Sequence, residues 1–231
     1  MEKNPIFCAI DTAELPAARK IIAALRGAVN LKLGLEFFVA NGPQALREVA
    51  GKTPLFLDLK LHDIPNTVAG AVRAAASLRP MLLTIHAAGG PAMMRAAADA
   101  AKEAARGQPR MKLLGVTVLT SLDDDDLERV GQRGPAAEQA LRLALLARDN
   151  GLDGVVCSPL EVAALRQRCG KDFLLVVPGI RVMGGAIGDQ KRVMGPKDAI
   201  AAGADYLVIG RPITGAPDPA AAARAMLASL R

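Results

Sequence analysis

The sequence predicts a single (β/α)₈ barrel, the TIM-barrel fold, over residues 1–231. Short apolar runs alternate with Ala-rich amphipathic segments, there are eight such runs, and the 231-residue length is typical of a one-domain barrel. No linker, tandem repeat or break in composition divides the chain. A doubly wound open sheet is the alternative, but Asp11-Thr12-Ala13-Glu14 follows the first run where that fold places a Gly-x-Gly-x-x-Gly turn.

Each apolar run has the length and composition of a buried parallel strand. In chain order the predicted strands are Ile6–Ile10, Leu31–Leu35, Leu55–Leu59, Met81–His86, Leu113–Leu119, Gly154–Cys157, Phe173–Val177 and Tyr206–Ile209. Parallel strands need crossover connections, and helix-compatible segments lie between most of the runs. The clearest of them are Leu15–Arg26, Pro91–Arg106, Ala136–Asn150 and Leu160–Arg168.

Two segments between these elements have unusual compositions. The segment from Gly179 to Gly195 is rich in glycine, which predicts a flexible loop that serves as a lid or a phosphate cradle. Four carboxylates run from Asp123 to Asp126 without the spacing of metal ligands. This run predicts a solvated surface or the start of a helix, where the helix dipole favours negative charge.

Composition excludes several classes of protein. An apolar content of 51% with 23% charged residues excludes a disordered chain, and no apolar run is long enough to span a bilayer. The first apolar run, Ile6–Ile10, gives way to Asp11 and is too short for a signal peptide, so we expect a cytoplasmic protein. Cys8, Cys157 and Cys169 are odd in number and far apart, which predicts reduced thiols.

The net charge of +6 and the pI near 9.5 permit two interpretations: a nucleic-acid partner, or steering of a small anionic substrate into a positive cleft. Aromatic residues make up only 3% of the chain, and Lys and Arg are scattered rather than arranged in a stripe. Stacking platforms for single strands and a basic face for duplexes are therefore missing. We predict a small anionic substrate and no nucleic-acid partner.

Charged side chains lie within or directly after the first three predicted strands, and several of them fall at the end where a barrel has its active site. Side-chain alternation places Asp58 and Lys60 on the inner face of the third strand, and Asp63 follows three residues later. The same alternation places Lys32 inside, and the first strand leads directly to Asp11. Charges inside a barrel are costly unless paired, which predicts a compensated network. Because buried ion pairs stabilise weakly, catalysis is favoured over a purely structural network.

A second group of polar residues follows the last two strands. Pro178-Gly179-Ile180-Arg181 follows strand seven, Gln190 lies in the Gly-rich loop, and strand eight leads to Gly210-Arg211. Loops at these two positions of a barrel commonly bind phosphate through backbone N–H groups and an Arg side chain. The pattern predicts a phosphorylated substrate whose reactive end points towards Lys60.

The segment Asp58-Leu59-Lys60-Leu61-His62-Asp63-Ile64-Pro65-Asn66-Thr67 resembles the signature of the orotidine 5′-phosphate decarboxylase family, in its bacterial form. The likeness extends from Ala9-Ile10-Asp11 to residues 203–214 and so covers almost the whole chain. The shorter Asp-x-Lys-x-x-Asp core is shared with metal-dependent phosphosugar decarboxylases and synthases of the same barrel superfamily, which are the alternative function. A basic binding module and a catalytically silent barrel are two further alternatives.

The resemblance implies conversion of orotidine 5′-monophosphate to uridine 5′-monophosphate and carbon dioxide, the last step of pyrimidine nucleotide synthesis, without metal or organic cofactor. Lys60 matches the family's proton donor to C6 of the pyrimidine, in a network with Lys32, Asp58 and Asp63. The resemblance also implies a homodimer with shared active sites, because the residues matching Asp63 and Thr67 reach into the neighbouring subunit.

Substrate contacts are likewise implied by the resemblance. Asp11 and Lys32 match ribose-contacting positions, and Thr120 matches a position that contacts the base. The family's phosphate-binding and lid positions are matched by Arg181, Gln190, Gly210 and Arg211. With Asp58, Thr67 and Pro178, these residues complete the set expected to bind substrate. One departure is Val182, which stands where the family usually has Pro after Pro-Gly-Ile-Arg.

Only His62 and His86 are available as imidazole ligands, so we expect hydrogen-bonded scaffold roles for both and no metal site.

Overall fold

Eight parallel strands close into a barrel in which neighbours in sequence are neighbours in the sheet and the last strand pairs with the first. This arrangement confirms the predicted fold class. The structure, a computed structural model, describes residues 4–107, 109–180 and 194–230.

The strands are β1 (Ile6–Ile10), β2 (Asn30–Gly34), β3 (Leu55–Leu61), β4 (Leu82–His86), β5 (Lys112–Val116), β6 (Gly154–Val156), β7 (Leu174–Val177) and β8 (Tyr206–Ile209). The helices are α1 (Leu15–Leu25), α2 (Leu35–Ala50), α3 (Pro65–Ala76), α4 (Gly90–Ala105), α5 (Asp124–Arg129), α6 (Ala136–Asp149), α7 (Val162–Cys169), α8 (Pro196–Ala201), α9 (Arg211–Thr214) and α10 (Pro219–Ser229). Short 3₁₀ turns precede α4 and α7, at Ala87–Gly89 and Pro159–Glu161.

All eight predicted strands are present, and the differences lie at their ends. β2 stops at Gly34, so Leu35 begins α2 and is 56% exposed instead of packing as a strand residue. β5 ends at Val116, and the apolar residues after it belong to the loop at the mouth of the barrel. The prediction that placed Leu35 and residues 117–119 in strands is therefore wrong, because apolar character alone does not separate a strand from the apolar residues that follow it.

The run of four aspartates starts a helix, as one of its two interpretations predicted. Asp123 caps α5: its side chain accepts the backbone N–H of Asp126 at 3.0 Å, and the Asp126 side chain accepts that of Asp123 at 3.3 Å. This reciprocal capping box satisfies two backbone donors that the first helical turn leaves without partners.

Two apolar layers build the barrel. The outward faces of the strands pack against the helices, while an inner core fills the barrel itself; it consists of Phe7, Phe56, Leu82, Leu114, Val176 and Tyr206. Phe7 meets Phe56 edge-to-face at 5.7 Å and Tyr206 at 5.2 Å between ring centroids. Because the inner core fills the barrel, a ligand has access only above it.

The three cysteines are buried, and none of them is joined in a disulfide in the structure. Burial raises the pKa of the Cys8 thiol to about 12, so this thiol stays protonated. Within the described ranges no helix has the length and apolar character needed to cross a membrane.

Candidate active site at the mouth of the barrel

A cavity of about 610 Å³ opens at the carboxyl ends of the strands. It is lined by Ala9, Asp11, Lys32, Phe56, Asp58, Lys60, Val116, Val118, Leu119, Thr120, Ser121, Val156, Cys157, Pro178, Gly179, Val208, Gly210 and Arg211. Phe56 belongs to the inner core, which therefore forms part of the cavity floor. The volume suits a small molecule, and the location is the one at which barrel enzymes bind their substrates.

A row of alternating charges crosses one side of this cavity. The Lys32 ammonium lies 3.1 Å from the Asp11 carboxylate and 3.7 Å from that of Asp58. The Lys60 ammonium lies 2.8 Å from the same Asp58 oxygen. The structure thus joins four of the five residues in the predicted network, and each carboxylate in the row faces at least one ammonium group.

Asp58 is the buried centre of the row. Burial by itself raises the pKa of its carboxyl, but the charges of Lys32 and Lys60, with hydrogen bonds from Lys60 and Thr84, outweigh this effect and hold the pKa below its ordinary value. The Asp58 side chain is 11% exposed, whereas that of Lys60 is 37% exposed. A ligand in the cavity therefore meets the Lys60 ammonium more readily than the carboxylate beneath it.

Lys60 reaches the cavity through an unusual backbone. Its φ is 49°, in the left-handed region that non-glycine residues seldom adopt. The pairing of β3 with β4 shifts register at the same place, between Leu57 and Leu61. Regular alternation along β3 therefore does not carry Lys60 to the inner face as predicted; an irregular strand end does, and a bulge of this kind re-aims a side chain.

The residues predicted to hold phosphate lie half a turn around the barrel from β3. Pro178 follows β7, and Gly210 and Arg211 follow β8, at the start of the short helix α9; all three line the cavity. Arg181 and Gln190, predicted to belong to the same grip, lie outside the described residues, as does Val182.

Thr120, for which the resemblance implies a contact with the base, lies at the cavity wall. Asp63 and Thr67 do not line the cavity of their own chain. Both are exposed, and the Asp63 carboxylate accepts the backbone N–H of Ile64 at 2.6 Å and pairs with no charged residue in the described part of the chain. The chain by itself thus leaves these two predicted site residues outside its own site.

His62 and His86 contact each other. Their rings stack with centroids 5.2 Å apart, whereas hydrogen-bonded scaffold roles were expected. No hydrogen bond joins either ring to a residue in the described ranges. Across residues 4–107, 109–180 and 194–230, no three His, Cys, Asp or Glu side chains group together as metal ligands would.

Several site residues were not found from the sequence. The apolar walls formed by Val116 and Val156 continue the inward alternation of β5 and β6, a signal that could have been followed along each strand. Cys157, directly after β6, also lines the cavity. Thr84 on β4 contacts both Asp58 and the Lys60 backbone. No feature of the sequence distinguishes it, because its importance depends on which residues lie opposite β4.

Comparisons with known proteins agree with one another. The model of the family described as Orotidine 5′-phosphate decarboxylase / HUMPS family matches residues 4–226. An orotidine 5′-phosphate decarboxylase of Rhodospirillum rubrum is 57% identical over 97% of this chain and 93% of its own length. That of Paramagnetospirillum magneticum is 54% identical over 98% of both chains. The crystal structure of orotidine 5′-phosphate decarboxylase from Lactobacillus acidophilus, 39% identical, covers 99% of this chain and 100% of its own with a TM-score of 0.89.

Proposed function

The chain belongs to the orotidine 5′-phosphate decarboxylase / HUMPS family, and from this membership we propose that it is a carboxy-lyase that converts orotidine 5′-monophosphate into uridine 5′-monophosphate and carbon dioxide. This reaction is the last step of pyrimidine nucleotide synthesis. One observation carries the proposal: the charge row of Asp11, Lys32, Asp58 and Lys60 lies in the same cavity as Arg211, in a chain that matches relatives of this name over nearly its full length.

Lys60 supplies the proton in the proposed mechanism. Cleavage of the bond between C6 and the carboxylate leaves the electron pair on C6, with no attached group able to delocalise it. A fixed positive charge beside C6 stabilises this carbanion, and the Lys60 ammonium then transfers a proton to C6. Uridine 5′-monophosphate results, and the neutral amine regains a proton from water. Asp58, 2.8 Å from the Lys60 ammonium, pairs with it and holds it in place.

In the proposed substrate orientation, the phosphate position rests on the charge around the cavity, and the ribose and base positions rest on the resemblance to the family. The phosphate is placed on the β7 and β8 side, where Gly210 and Arg211 supply a backbone donor and a guanidinium group. The ribose lies against Asp11 and Lys32, and the base extends towards Thr120 with C6 facing Lys60. Binding energy at the phosphate then holds the reacting carbon beside the ammonium group.

A cofactor-free reaction is part of the proposal, because the charge row itself supplies both the electrostatic stabilisation and the proton. The test is an absorbance assay with orotidine 5′-monophosphate, run with and without a chelator. We expect turnover that the chelator leaves unchanged. Loss of turnover on chelation would instead favour the metal-dependent phosphosugar alternative, and absence of turnover in both samples would overturn the proposed function.

The active unit is proposed to be a homodimer with shared sites, located in the cytoplasm. Asp63 and Thr67 are exposed and lie outside the cavity of their own chain. Residues that contribute to the site of a neighbouring subunit would have this position in a single chain. Ile64, next to Asp63, is 67% exposed, so apolar surface adjoins these polar groups. Burial of this surface against a second copy would complete both the interface and the site.

A further inference from the structure

Thr84 connects the two central residues of the charge row. It lies in the middle of β4, and its side chain is completely buried. Its hydroxyl donates to Asp58 Oδ1 at 2.9 Å and accepts the backbone N–H of Lys60, also at 2.9 Å. One oxygen atom therefore contacts both the carboxylate beneath the ammonium group and the backbone that carries that ammonium group.

The irregular pairing of β3 with β4 explains why this connection is needed. Leu57 pairs with Leu83 and Leu61 pairs with Ile85, so three residues of β3 lie opposite Thr84 alone. Regular ladder hydrogen bonds cannot serve all three, and a buried backbone N–H without a partner is costly. The Thr84 hydroxyl takes the Lys60 N–H and so supports the left-handed backbone at Lys60.

The same hydroxyl sets the rotation of the Asp58 carboxylate. Oδ1 accepts from Thr84, while Oδ2 accepts from Lys60 and faces Lys32 at 3.7 Å. Because each oxygen has its own partner, the carboxylate cannot turn without losing one of them. We propose that Thr84 is a positioning residue that holds the Asp58 carboxylate and the Lys60 ammonium in the mutual geometry needed for proton transfer, an inference that rests on the function proposed above.

A valine substitution tests this inference, because valine has the shape of threonine and lacks the hydroxyl. We expect Thr84→Val to lower kcat about tenfold to a hundredfold, the range for loss of a hydrogen bond to a charged group. The dissociation constant of uridine 5′-monophosphate should stay within about twofold of wild type, because phosphate and ribose contacts lie elsewhere. Thr84→Ser, which keeps the hydroxyl, should restore most of kcat.

Thr117 provides a matched control. It is also a buried threonine, on the segment that continues β5, but its hydroxyl donates to the backbone carbonyl of Val156 at 3.0 Å and contacts no charged group in the described chain. Thr117→Val removes a buried hydroxyl just as Thr84→Val does. We expect both variants to lose thermal stability, Thr84→Val more than Thr117→Val because two buried partners lose a hydrogen bond instead of one. A loss of kcat is expected only from Thr84→Val.

The pH profile of kcat gives a readout that a general loss of stability would not change. The Thr84 hydrogen bond is one of the interactions that keep the pKa of Asp58 low. Its removal should move the acid limb of the profile to higher pH, and Thr84→Ser should move it back. A Thr84→Val enzyme with wild-type kcat and an unchanged acid limb would overturn the inference.

A crystal structure of Thr84→Val separates this inference from the proposed function. We expect a turned Asp58 carboxylate or a relaxed Lys60 backbone, whether or not the wild-type protein decarboxylates orotidine 5′-monophosphate. Unchanged positions of both residues would overturn the positioning role, whereas a wild-type protein without turnover would overturn only the function. Should Thr84→Val not fold, Thr84→Cys replaces it with the same expectations on a smaller scale, because a thiol is a weak donor.

Discussion

Lys60 has a backbone conformation that costs on the order of 1–3 kcal/mol in a non-glycine residue. Three other described non-glycine residues have positive φ, and all three, Arg26, Arg79 and Arg106, follow the ends of helices, where this conformation is ordinary. Lys60 alone among the described residues adopts it within a strand. Its ammonium bonds Asp58 and its N–H bonds Thr84, so surrounding contacts maintain the strain at the site of the proposed chemistry.

Lys60 and Arg211 have separable roles in the proposed reaction. Lys60→Ala should abolish measurable decarboxylation while uridine 5′-monophosphate still binds, since the phosphate contacts remain. Arg211→Ala should mainly weaken binding of phosphorylated ligands, by about tenfold or more, because a charge-assisted hydrogen bond to phosphate is lost. Steady-state kinetics and calorimetric titration with uridine 5′-monophosphate measure the two effects.

The two variants serve as controls for each other, because each removes one positive side chain from the same cavity. Near-native turnover by Lys60→Ala would contradict the proton-donor role. Tight nucleotide binding by Arg211→Ala would mean that the phosphate lies elsewhere in the cavity.

His86 predicts a dependence of stability on pH. Burial, together with the nearby charges of His62 and Lys60, lowers the pKa of His86, against an opposing effect of Asp58. The unfolded chain then binds a proton at His86 more readily than the folded chain does. The free energy of unfolding should therefore be highest above about pH 7 and fall as the pH drops below the unfolded value of about 6.5, by at most about 1.4 kcal/mol per pH unit.

Urea unfolding between pH 8 and pH 5, at one protein concentration, measures this effect. His86→Phe keeps a ring beside His62 and removes the titrating group, so its unfolding free energy should vary less over the same range. Because the chain has only two histidines, few other groups titrate there. An equal pH dependence in wild type and variant would show that His86 is not its source.

At the scale of elements, two aspartates stabilise the amino ends of neighbouring strands through hydrogen bonds and ion pairs. Asp153 precedes β6 and accepts the backbone N–H of Leu113, and Asp205 precedes β8 and accepts that of Leu175, each at 2.8 Å. Each carboxylate also pairs with an arginine at 2.6 Å. These ion pairs lie at the end of the barrel away from the cavity, so stabilising charges and site charges occupy opposite ends.

The close approach of β6 to β7 depends on Gly154. A Cβ at this position would lie 2.3 Å from the carbonyl oxygen of Leu174, which is backbone and cannot move aside. Gly154→Ala should therefore lower the free energy of unfolding by about 1–3 kcal/mol or more, as overpacking of a core does. Chemical denaturation followed by circular dichroism measures the loss.

Gly70, inside α3, is the matched control. Beyond its chain neighbours and the adjoining helix backbone, an added Cβ there meets no atom of the described chain within 4 Å. Gly70→Ala should raise stability by about 0.5–1 kcal/mol, because alanine favours a helix interior. The expected loss of unfolding free energy at Gly154 comes from contact of the new Cβ with β7, and not from the loss of a glycine. Equal effects of the two substitutions would contradict this explanation.

At the scale of the whole molecule, the proposed dimer with shared sites predicts complementation. A mixed dimer of Lys60→Ala and Asp63→Ala subunits has one site with both residues intact and one with neither. Random exchange makes about half of the dimers mixed, so about a quarter of wild-type activity should return by symmetry counting. The measurement is turnover after the two inactive variants are dissociated and paired again.

Mass-tagged subunits confirm that exchange has taken place, and each variant paired with itself gives the baseline. No recovery after confirmed exchange would mean that Asp63 serves its own subunit or only the fold. Asp63 is exposed and lies outside the cavity of its own chain, so the geometry argues against a role in its own subunit's site.

The sequence by itself determined the order of strands and helices and the end of the barrel at which the charges gather. Strand periodicity depends on neighbours in the chain, and a closed parallel barrel brings all carboxyl ends of its strands to one rim. Asp11, Lys32 and Asp58 could therefore be assigned to one cavity from their positions in the chain alone. The role proposed for Lys60 likewise comes from the sequence, from the position of Asp58 two residues before it and from the resemblance to a known family.

Only the tertiary structure decided how Lys60 reaches that cavity. Its left-handed backbone depends on a register shift between β3 and β4, and register is a property of two strands rather than of either sequence. The link from Thr84 to Asp58 spans 26 residues, and the stack of His62 on His86 arises in the same way. Contacts of this kind form when separate segments pack together, and local patterns carry no information about which residues will then lie opposite each other.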